Sequence, residues 1–133
     1  MTIISSGLRV DEWECWRLLR TVEVGRLCYT ERALPVIRPV PFVVDGTSVL
    51  AAVGSTDALR EVFLRPSIVA FEAGEWVSSP RGGWSVQIVG RAQVASPSTL
   101  PDNAKRLLPW TNGVPAQLVL VEVAVLTGQR VGT

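Results

Sequence analysis

The feature that most constrains the fold is an alternating stretch, Trp84–Val94, in the second half of the chain. One set of alternate positions is apolar and the other mostly polar: Trp84, Val86, Ile88, Gly90, Ala92 and Val94 against Ser85, Gln87, Val89, Arg91 and Gln93. This period of two predicts a long β-strand with one buried face. Gly90 on the apolar side indicates a bend or the close approach of another backbone. A long strand bent at a glycine is typical of a small barrel.

Short apolar runs separated by turn residues predict five more strands. They are Arg26–Thr30, Leu34–Val44, Ser48–Val53, Ser67–Ala73 and Ala116–Leu126. Prolines interrupt the second of these at even spacing, at Pro35, Pro39 and Pro41, and this predicts an edge that is free or bulged. The sequence therefore predicts one mainly β domain over residues 1–133, a six-stranded and mostly antiparallel barrel.

The segments between the strands carry the remaining structural predictions. Helices are expected from Asp11 onwards, over Asp57–Leu64 and over Asp102–Leu108, with Pro109-Trp110 ending the last one. Loops or irregular segments are expected in three places: a loose arm over residues 1–10, a loop over Gly74–Arg81 and a glycine turn at Gly82-Gly83.

The composition excludes several function classes. The 133 residues carry a formal net charge of +1, which gives no electrostatic reason to expect nucleic acid or an anionic membrane as a partner. The chain contains no histidine, which removes Ser–His–Asp catalysis and the commonest metal sites. We expect no metal, and we expect a cofactor to supply any chemistry. Neither a signal peptide nor a membrane span is recognisable, so we expect a cytoplasmic protein.

Tryptophan content and the last strand point to a second subunit. The chain has five tryptophans, and Ala116–Leu126 is almost entirely apolar, as expected of a strand covered on both faces. A homodimer is the simplest source of the additional cover.

Several residues could bind a ligand or serve the fold alone. Ser55 and Thr56 follow a predicted strand and precede a helix, where free backbone N–H groups can hold a phosphate or a hydroxyl can cap the helix. Asp57 favours the capping interpretation, because a carboxylate there complements the helix dipole and repels phosphate. Trp84 and Trp110 could each present an indole to a flat ligand or pack in the core.

Five motifs, in order along the chain, resemble the pyridoxamine 5′-phosphate oxidase-like, FMN-binding split-barrel family. They are the segments 14–27, Leu34–Val40, Val69–Glu72, the Gly-Trp-Ser-Val strand at Gly83–Val86, and Leu108–Trp110 followed by Thr127–Val131. The resemblance implies a six-stranded split barrel that is usually dimeric, with FMN in the cleft between subunits. It also implies oxidation or reduction of a small molecule, using FMN or the deazaflavin F420.

The resemblance assigns a cofactor site and also reveals departures from it. The implied cofactor-binding residues are Pro39, Val40, Ala51, Ala52, Ser55, Thr56, Trp84, Ser85 and Trp110. The family commonly has Arg-Thr at the positions of Ala51 and Ala52, and lysine at that of Asp57, and those residues hold the flavin phosphate. Losing two charge-assisted hydrogen bonds, each worth roughly 1.5–3 kcal/mol, weakens phosphate binding by about 10²- to 10⁴-fold.

Two hypotheses follow from this resemblance and its departures. In the first, the protein is an oxidoreductase that binds FMN or F420 through a degenerate phosphate site and acts on an unknown small molecule. In the second, the split-barrel homodimer binds no flavin, and its cleft binds or transforms an apolar small molecule without redox chemistry. A purely structural dimer without ligand is a third reading. Neither the substrate nor a catalytic residue follows from the sequence.

Overall fold

A computed structural model of the protein describes residues 2–4, 8–54, 61–112 and 116–132. Its strands are β1 (Thr2–Ile4), β2 (Leu8–Arg9), β3 (Val24–Glu31), β4 (Leu34–Asp45), β5 (Ser48–Gly54), β6 (Ser67–Ser78), β7 (Arg81–Val94) and β8 (Ala116–Gly132). Its helices are α1 (Glu12–Leu19), α2 (Leu108–Thr111) and two 3-10 helices, Pro97–Thr99 and Asp102–Leu107.

The six long strands form a closed ring, which confirms the predicted mainly β barrel. Going round the ring, the order is β8-β5-β4-β3-β6-β7, and β7 pairs with β8 to close it. Every pairing within the ring is antiparallel. Strand β4 pairs with β5 only over Phe42–Asp45, so among the described residues its proline-rich half has a neighbour on one side alone. This agrees with the free edge that the prolines predict.

The apolar positions of the long alternating strand line the barrel interior. Trp84, Val86, Ile88 and Ala92 of β7 are all at most 5% exposed. Across the interior, the rings of Phe42 and Phe71 meet edge to face, with centroids 4.9 Å apart. The alternation read from the sequence therefore identifies the inner face of β7.

Gly90 lies where β7 and β8 come unusually close. A Cβ atom at this position would overlap the main-chain carbonyl oxygen of Glu122. The register also shifts here, because Val89 is opposite Val125 while Gly90 is opposite Val123. Such a bulge bends the strand, as the sequence predicted for this glycine.

Three local predictions are wrong. The predicted loop over Gly74–Arg81 is strand up to Ser78, and the turn lies at Ser79–Pro80 instead of the expected glycine turn. Gly83 is needed for close strand packing, since a Cβ there would overlap the carbonyl oxygen of Glu75. The N-terminal arm is not loose throughout, because β1 and β2 both pair with β8.

The helical predictions are partly confirmed. Asp11 caps α1, its carboxylate accepting the N–H of Glu14 at 2.8 Å. Residues 102–111 form a 3-10 helix and then α2, so Pro109 lies in the first turn of a helix and does not end one. Of the predicted helix Asp57–Leu64, residues 61–63 are helical, and its beginning lies outside the described residues.

Candidate functional site

The chain covers one part of the outer barrel wall itself. On the outer face of β4 and β5, Val43, Leu50 and Ala52 pack against Leu107 of the second 3-10 helix. Strand β5 is therefore buried on both faces, since Val49, Ala51 and Val53 point into the barrel core. We call residues 97–111, which provide this cover, the covering segment.

An apolar cavity lies where the covering segment meets the end of β5. Its volume is about 180 Å³, and it is lined by Pro41, Ala52, Val53, Gly54, Trp110, Thr111 and Ala116. No charged side chain lines it among the described residues. Such a surface suits the flat apolar part of a ligand, and the half-exposed indole of Trp110 provides an aromatic wall.

A second, charged cavity of about 190 Å³ shares Trp110 with the apolar one. It is lined by Leu19, Arg20, Val22, Glu23, Phe42, Val43, Val44, Asn103, Arg106 and Trp110. Asn103 is fixed in its wall, because its Nδ2 donates to the carbonyl oxygen of Val44 at 2.9 Å. Sequence reasoning missed this cavity, since its charged residues come from the turn after α1 and from the covering segment.

The structure brings only some of the predicted site residues together. Ala52 and Trp110 line the apolar cavity, and Pro39 is exposed on the same outer side of β4. The side chains of Val40, Ala51 and Trp84 lie in the barrel core, so a ligand on the outer wall would reach them only through backbone atoms. This division follows from the strand period, because consecutive residues point to opposite faces.

Two predicted residues lie outside the described part of the chain. Ser55 and Thr56 fall within 55–60, directly after β5, so the proposed phosphate contacts through them stay a prediction.

Ser85 belongs to a polar network on the outer wall. Its Oγ donates to Oε2 of Glu72 at 3.0 Å, and the guanidinium of Arg26 donates to Oε1 of the same carboxylate from Nε, at 2.7 Å, and from Nη2. Ser85 is 3% exposed. Glu72 is not among the sequence-predicted site residues, because the register that places Arg26 opposite it exists only in the folded sheet.

Beside this network, the outer wall of β3, β4, β6, β7 and β8 carries apolar side chains that no described segment covers. One residue from each strand forms a cross-strand row: Ile37, Cys28, Ala70, Val89 and Val125. The side chain of Ile37 is 69% exposed, and that of neighbouring Ile68 is 68% exposed. A shallow groove of about 270 Å³ runs along part of the row. We call this surface the bare face.

Burial also affects the thiol within the bare face. Burial raises the pKa of Cys28, and the negative charge of the nearby Glu72 carboxylate raises it further. The positive charge of Arg26 acts in the opposite direction and lowers it. Both cysteines are free thiols. Within the described residues, no helix is long and apolar enough to cross a membrane.

Known proteins resemble the chain over most of its length. The sequence profile described as pyridoxamine 5′-phosphate oxidase matches residues 11–127. The uncharacterized protein Rv0080 of Mycobacterium tuberculosis is 36% identical, over 93% of this chain and 85% of that protein.

Two solved structures extend the comparison. The FAD binding protein of Mycobacterium smegmatis is 30% identical, with a TM-score of 0.77 over 94% of this chain and 98% of that one. A FAD-binding protein of Mesorhizobium loti has a TM-score of 0.71 at 19% identity, covering 92% and 96% of the two chains. The latter likeness concerns the fold.

Proposed function

Since the chain belongs to the pyridoxamine 5′-phosphate oxidase family, we propose that it is a flavin-binding oxidoreductase acting on a small molecule. The flavin ring would lie in the apolar cavity beside Trp110. The observation that carries the proposal is this cavity, in which two predicted site residues, Ala52 and Trp110, meet on the outer barrel wall. A relative with 30% identity over nearly the whole chain, described as FAD binding, supports a flavin as the ligand.

The residues present fit the ring of a flavin better than its phosphate. Ala52, Ala116 and Trp110 offer apolar and aromatic surface to a flat ring system. None of the described lining residues carries a positive charge that could bind a phosphate. This agrees with Ala51 and Ala52 at the positions where the family commonly has Arg-Thr. Whether the ligand is FMN, FAD or F420 therefore depends on groups beyond this cavity.

A second copy of the chain would complete the site. The apolar cavity, at about 180 Å³, is smaller than the roughly 300–1,000 Å³ typical of ligand pockets. Pro39 lies on the same outer side of β4 as Pro41 of the cavity, and in the β3–β4 register it is opposite Arg26 of the polar network that adjoins the bare face. A homodimer formed through the bare face would cover its apolar row and deepen the open cavity into a cleft.

When bound, a flavin would supply the redox chemistry, which is hydride transfer to or from the substrate. This chain's residues would bind and orient the ring, through the indole of Trp110 and the backbone of β4. The partner subunit would exclude water from the cleft. No described residue of the apolar cavity titrates near neutral pH, so proton exchange would involve solvent or the substrate.

The absence of charge in the apolar cavity favours a second candidate. A split barrel without flavin could bind an uncharged apolar molecule there, because no described side chain would be left to pair with a phosphate. Failure to bind any flavin, together with saturable binding of apolar probes, would favour this candidate.

The first test is titration of the purified protein with riboflavin, FMN, FAD and F420, followed by flavin fluorescence. We expect saturable binding of a flavin at one per subunit, and reduction of the bound flavin by a nicotinamide or another small reductant. The Ala116→Leu variant should fill the apolar cavity and lower flavin affinity by at least about tenfold. The matched control is Ala95→Leu, because Ala95 is also half-buried but lines a different cavity. Equal flavin affinity in the two variants would contradict the placement of the ring.

We also propose that the protein acts in the cytoplasm. The two unpaired thiols support this location, because reducing compartments keep cysteines free.

A further inference from the structure

The charged cavity brings together side chains of both signs that do not pair with one another. Arg20, Glu23 and Arg106 line it, and no ion pair joins any two of them. Within the described residues, neither the Glu23 carboxylate nor the Arg106 guanidinium makes a hydrogen bond or an ion pair. Arg20 donates from Nη1 to the carbonyl oxygen of Trp16 at 3.3 Å, which leaves most of its N–H groups available. One cavity thus offers two guanidinium groups and one carboxylate to a ligand.

The wall of the same cavity contains a buried acceptor that lacks a donor. Asn103 is fixed by its Nδ2, which donates to the carbonyl oxygen of Val44 at 2.9 Å. Its Oδ1 is buried and accepts no hydrogen bond from any described residue. Buried polar atoms nearly always have a hydrogen-bond partner, so this oxygen indicates a position at which a ligand N–H group would be favoured.

The combination of these groups selects against simple ions. A phosphate or a dicarboxylate would pair with the two arginines and be repelled by Glu23, and a simple cation would be repelled by the arginines. A zwitterion satisfies both signs. Its carboxylate has two oxygens, enough to accept from Arg20 and Arg106 together. Its ammonium group has three N–H donors, enough for Glu23 and for Oδ1 of Asn103.

The rest of the cavity is apolar and small. Leu19 and Phe42 are at most 3% exposed, and the half-exposed indole of Trp110 forms a further wall. The volume of about 190 Å³ lies below the roughly 300 Å³ at which ordinary ligand pockets begin. A fitting ligand is therefore a compact molecule that carries both charges and an apolar part.

We infer that the charged cavity binds a free α-amino acid with an apolar side chain. The carboxylate of the amino acid pairs with Arg20 and Arg106. Its ammonium group donates to Glu23 and to Oδ1 of Asn103, and its side chain packs on the apolar walls. The inference does not rest on the proposed flavin site, because an amino acid held in this cavity needs no contact with the apolar one.

The test is calorimetric titration of the purified protein with leucine, with phenylalanine and with two analogues that each lack one charge. These are 3-phenylpropanoate, without the ammonium group, and 2-phenylethylamine, without the carboxylate. We expect saturable binding of leucine or phenylalanine at one per chain. Each analogue should bind at least about tenfold more weakly than phenylalanine, because it loses charge-assisted hydrogen bonds. Either analogue binding as tightly as both amino acids, or no saturable binding of either amino acid, would overturn the inference.

Two substitutions should change the binding of the anionic analogue in opposite directions. Arg106→Gln should lower the affinity for phenylalanine and for 3-phenylpropanoate by about tenfold each. Glu23→Gln should lower the affinity for phenylalanine and raise that for 3-phenylpropanoate, because it removes the repulsion of the carboxylate. Damage to the fold would weaken both ligands together. A parallel fall for both ligands in Glu23→Gln, as in Arg106→Gln, would therefore overturn the zwitterion site.

A matched control is available on the same 3-10 helix. Lys105 is the exposed neighbour of Arg106 and does not line the cavity, so Lys105→Gln removes the same charge without touching the site. We expect it to leave the affinity for phenylalanine unchanged. An equal loss in Lys105→Gln and Arg106→Gln would indicate a general charge effect and would overturn the site.

Discussion

Two parts of the outer barrel wall are built from similar apolar strands, but they differ in how far the chain itself buries them. Over β4 and β5, the covering segment buries Leu50 completely and leaves Ala52 only 6% exposed. Over β3, the first half of β4, β6 and β7, no described segment covers the apolar row, and Ile37 and Val89 face solvent. The comparison teaches that an apolar outer face predicts a cover but does not say which molecule provides it. One cover is internal, and we propose that the other is a second copy.

The largest effect on stability is expected where the covering segment packs on the barrel, at Leu107. Leu107 is 2% exposed against β4 and β5, and its replacement in Leu107→Ala should lower the free energy of unfolding by about 2–5 kcal/mol. Leu108, the next residue, is 66% exposed, so Leu108→Ala should change the free energy of unfolding by less than about 0.5 kcal/mol. Denaturant unfolding of both variants measures the difference. Equal losses would show that the covering segment does not pack as described.

A charge in the bare face should act on association and not on folding. Val89→Glu places a carboxylate in the middle of the apolar row, where an unpaired charge in a dimer interface costs several kcal/mol. We expect the dimer dissociation constant to rise by at least about a hundredfold, measured by sedimentation, with the monomer still folded. Leu64→Glu serves as control, because Leu64 is 69% exposed outside the sheet. Dimers of unchanged affinity in Val89→Glu would exclude the bare face as the interface.

The two thiols provide a further comparison, since Cys15 lies in the barrel core and Cys28 in the bare face. Burial raises the pKa of Cys15 to about 11, and a Cβ at Gly128 would overlap its sulfur. Cys28 is half-buried and its pKa is raised as well. In the native protein, iodoacetamide should therefore modify Cys28 slowly, faster at higher pH, and Cys15 hardly at all. Mass spectrometry of labelled protein measures this.

Protein concentration provides the control for that labelling. If the bare face is the dimer interface, Cys28 should become less reactive as the protein concentration rises through the dissociation constant. A rate that is independent of concentration would argue against an interface that includes Cys28.

The smallest expected effect concerns α1, which packs against the barrel core. Glu14 accepts hydrogen bonds from Arg17 on its own helix and from Arg130 of β8, both at 2.8 Å. The Arg17 hydrogen bond, helped by the one from Arg130, lowers the pKa of Glu14 from 4.5 to about 2. Because the folded state has the lower pKa, the stabilisation is fully present above about pH 4.5 and is lost as the pH falls towards 2.

The check is the melting temperature as a function of pH. Glu14→Gln should lose a small part of its stability at neutral pH and should show a shallower fall between pH 4.5 and 2 than the wild type. Glu12, which makes no ion pair within the described residues, provides the control Glu12→Gln. Parallel curves for Glu14→Gln and the wild type would show that the surface pair contributes nothing measurable.

The strands and the barrel could be predicted from local pattern, and the limits of that pattern are visible at single residues. The alternation from Trp84 to Val94 identified a buried face because side chains in a strand alternate regardless of what surrounds them. Gly83 was misread as part of a turn, since a glycine required by a close strand neighbour looks the same in sequence as one required by a positive φ.

The candidate site was predicted only in part. Ala52 and Trp110 lie 58 positions apart by their residue numbers, and the family resemblance suggested both before the structure joined them in one cavity. Arg20 and Arg106 carried no signal, because isolated arginines on a helix end and in a crossover are ordinary surface residues. The sequence did not predict the contacts of the Arg26–Glu72–Ser85 network either, because its members meet only through strand register.

By itself, the sequence determined the fold class, the inner face of the barrel and the family, because these depend on local periodicity and on motifs read in order. Only the tertiary structure decided which outer surface is covered, where the two cavities meet and which charges face them. Those features come from residues far apart in the chain that closure of the barrel brings together. Local propensity contains no information about such contacts, so the bare face and the Trp110 cavities could be seen only in the folded chain.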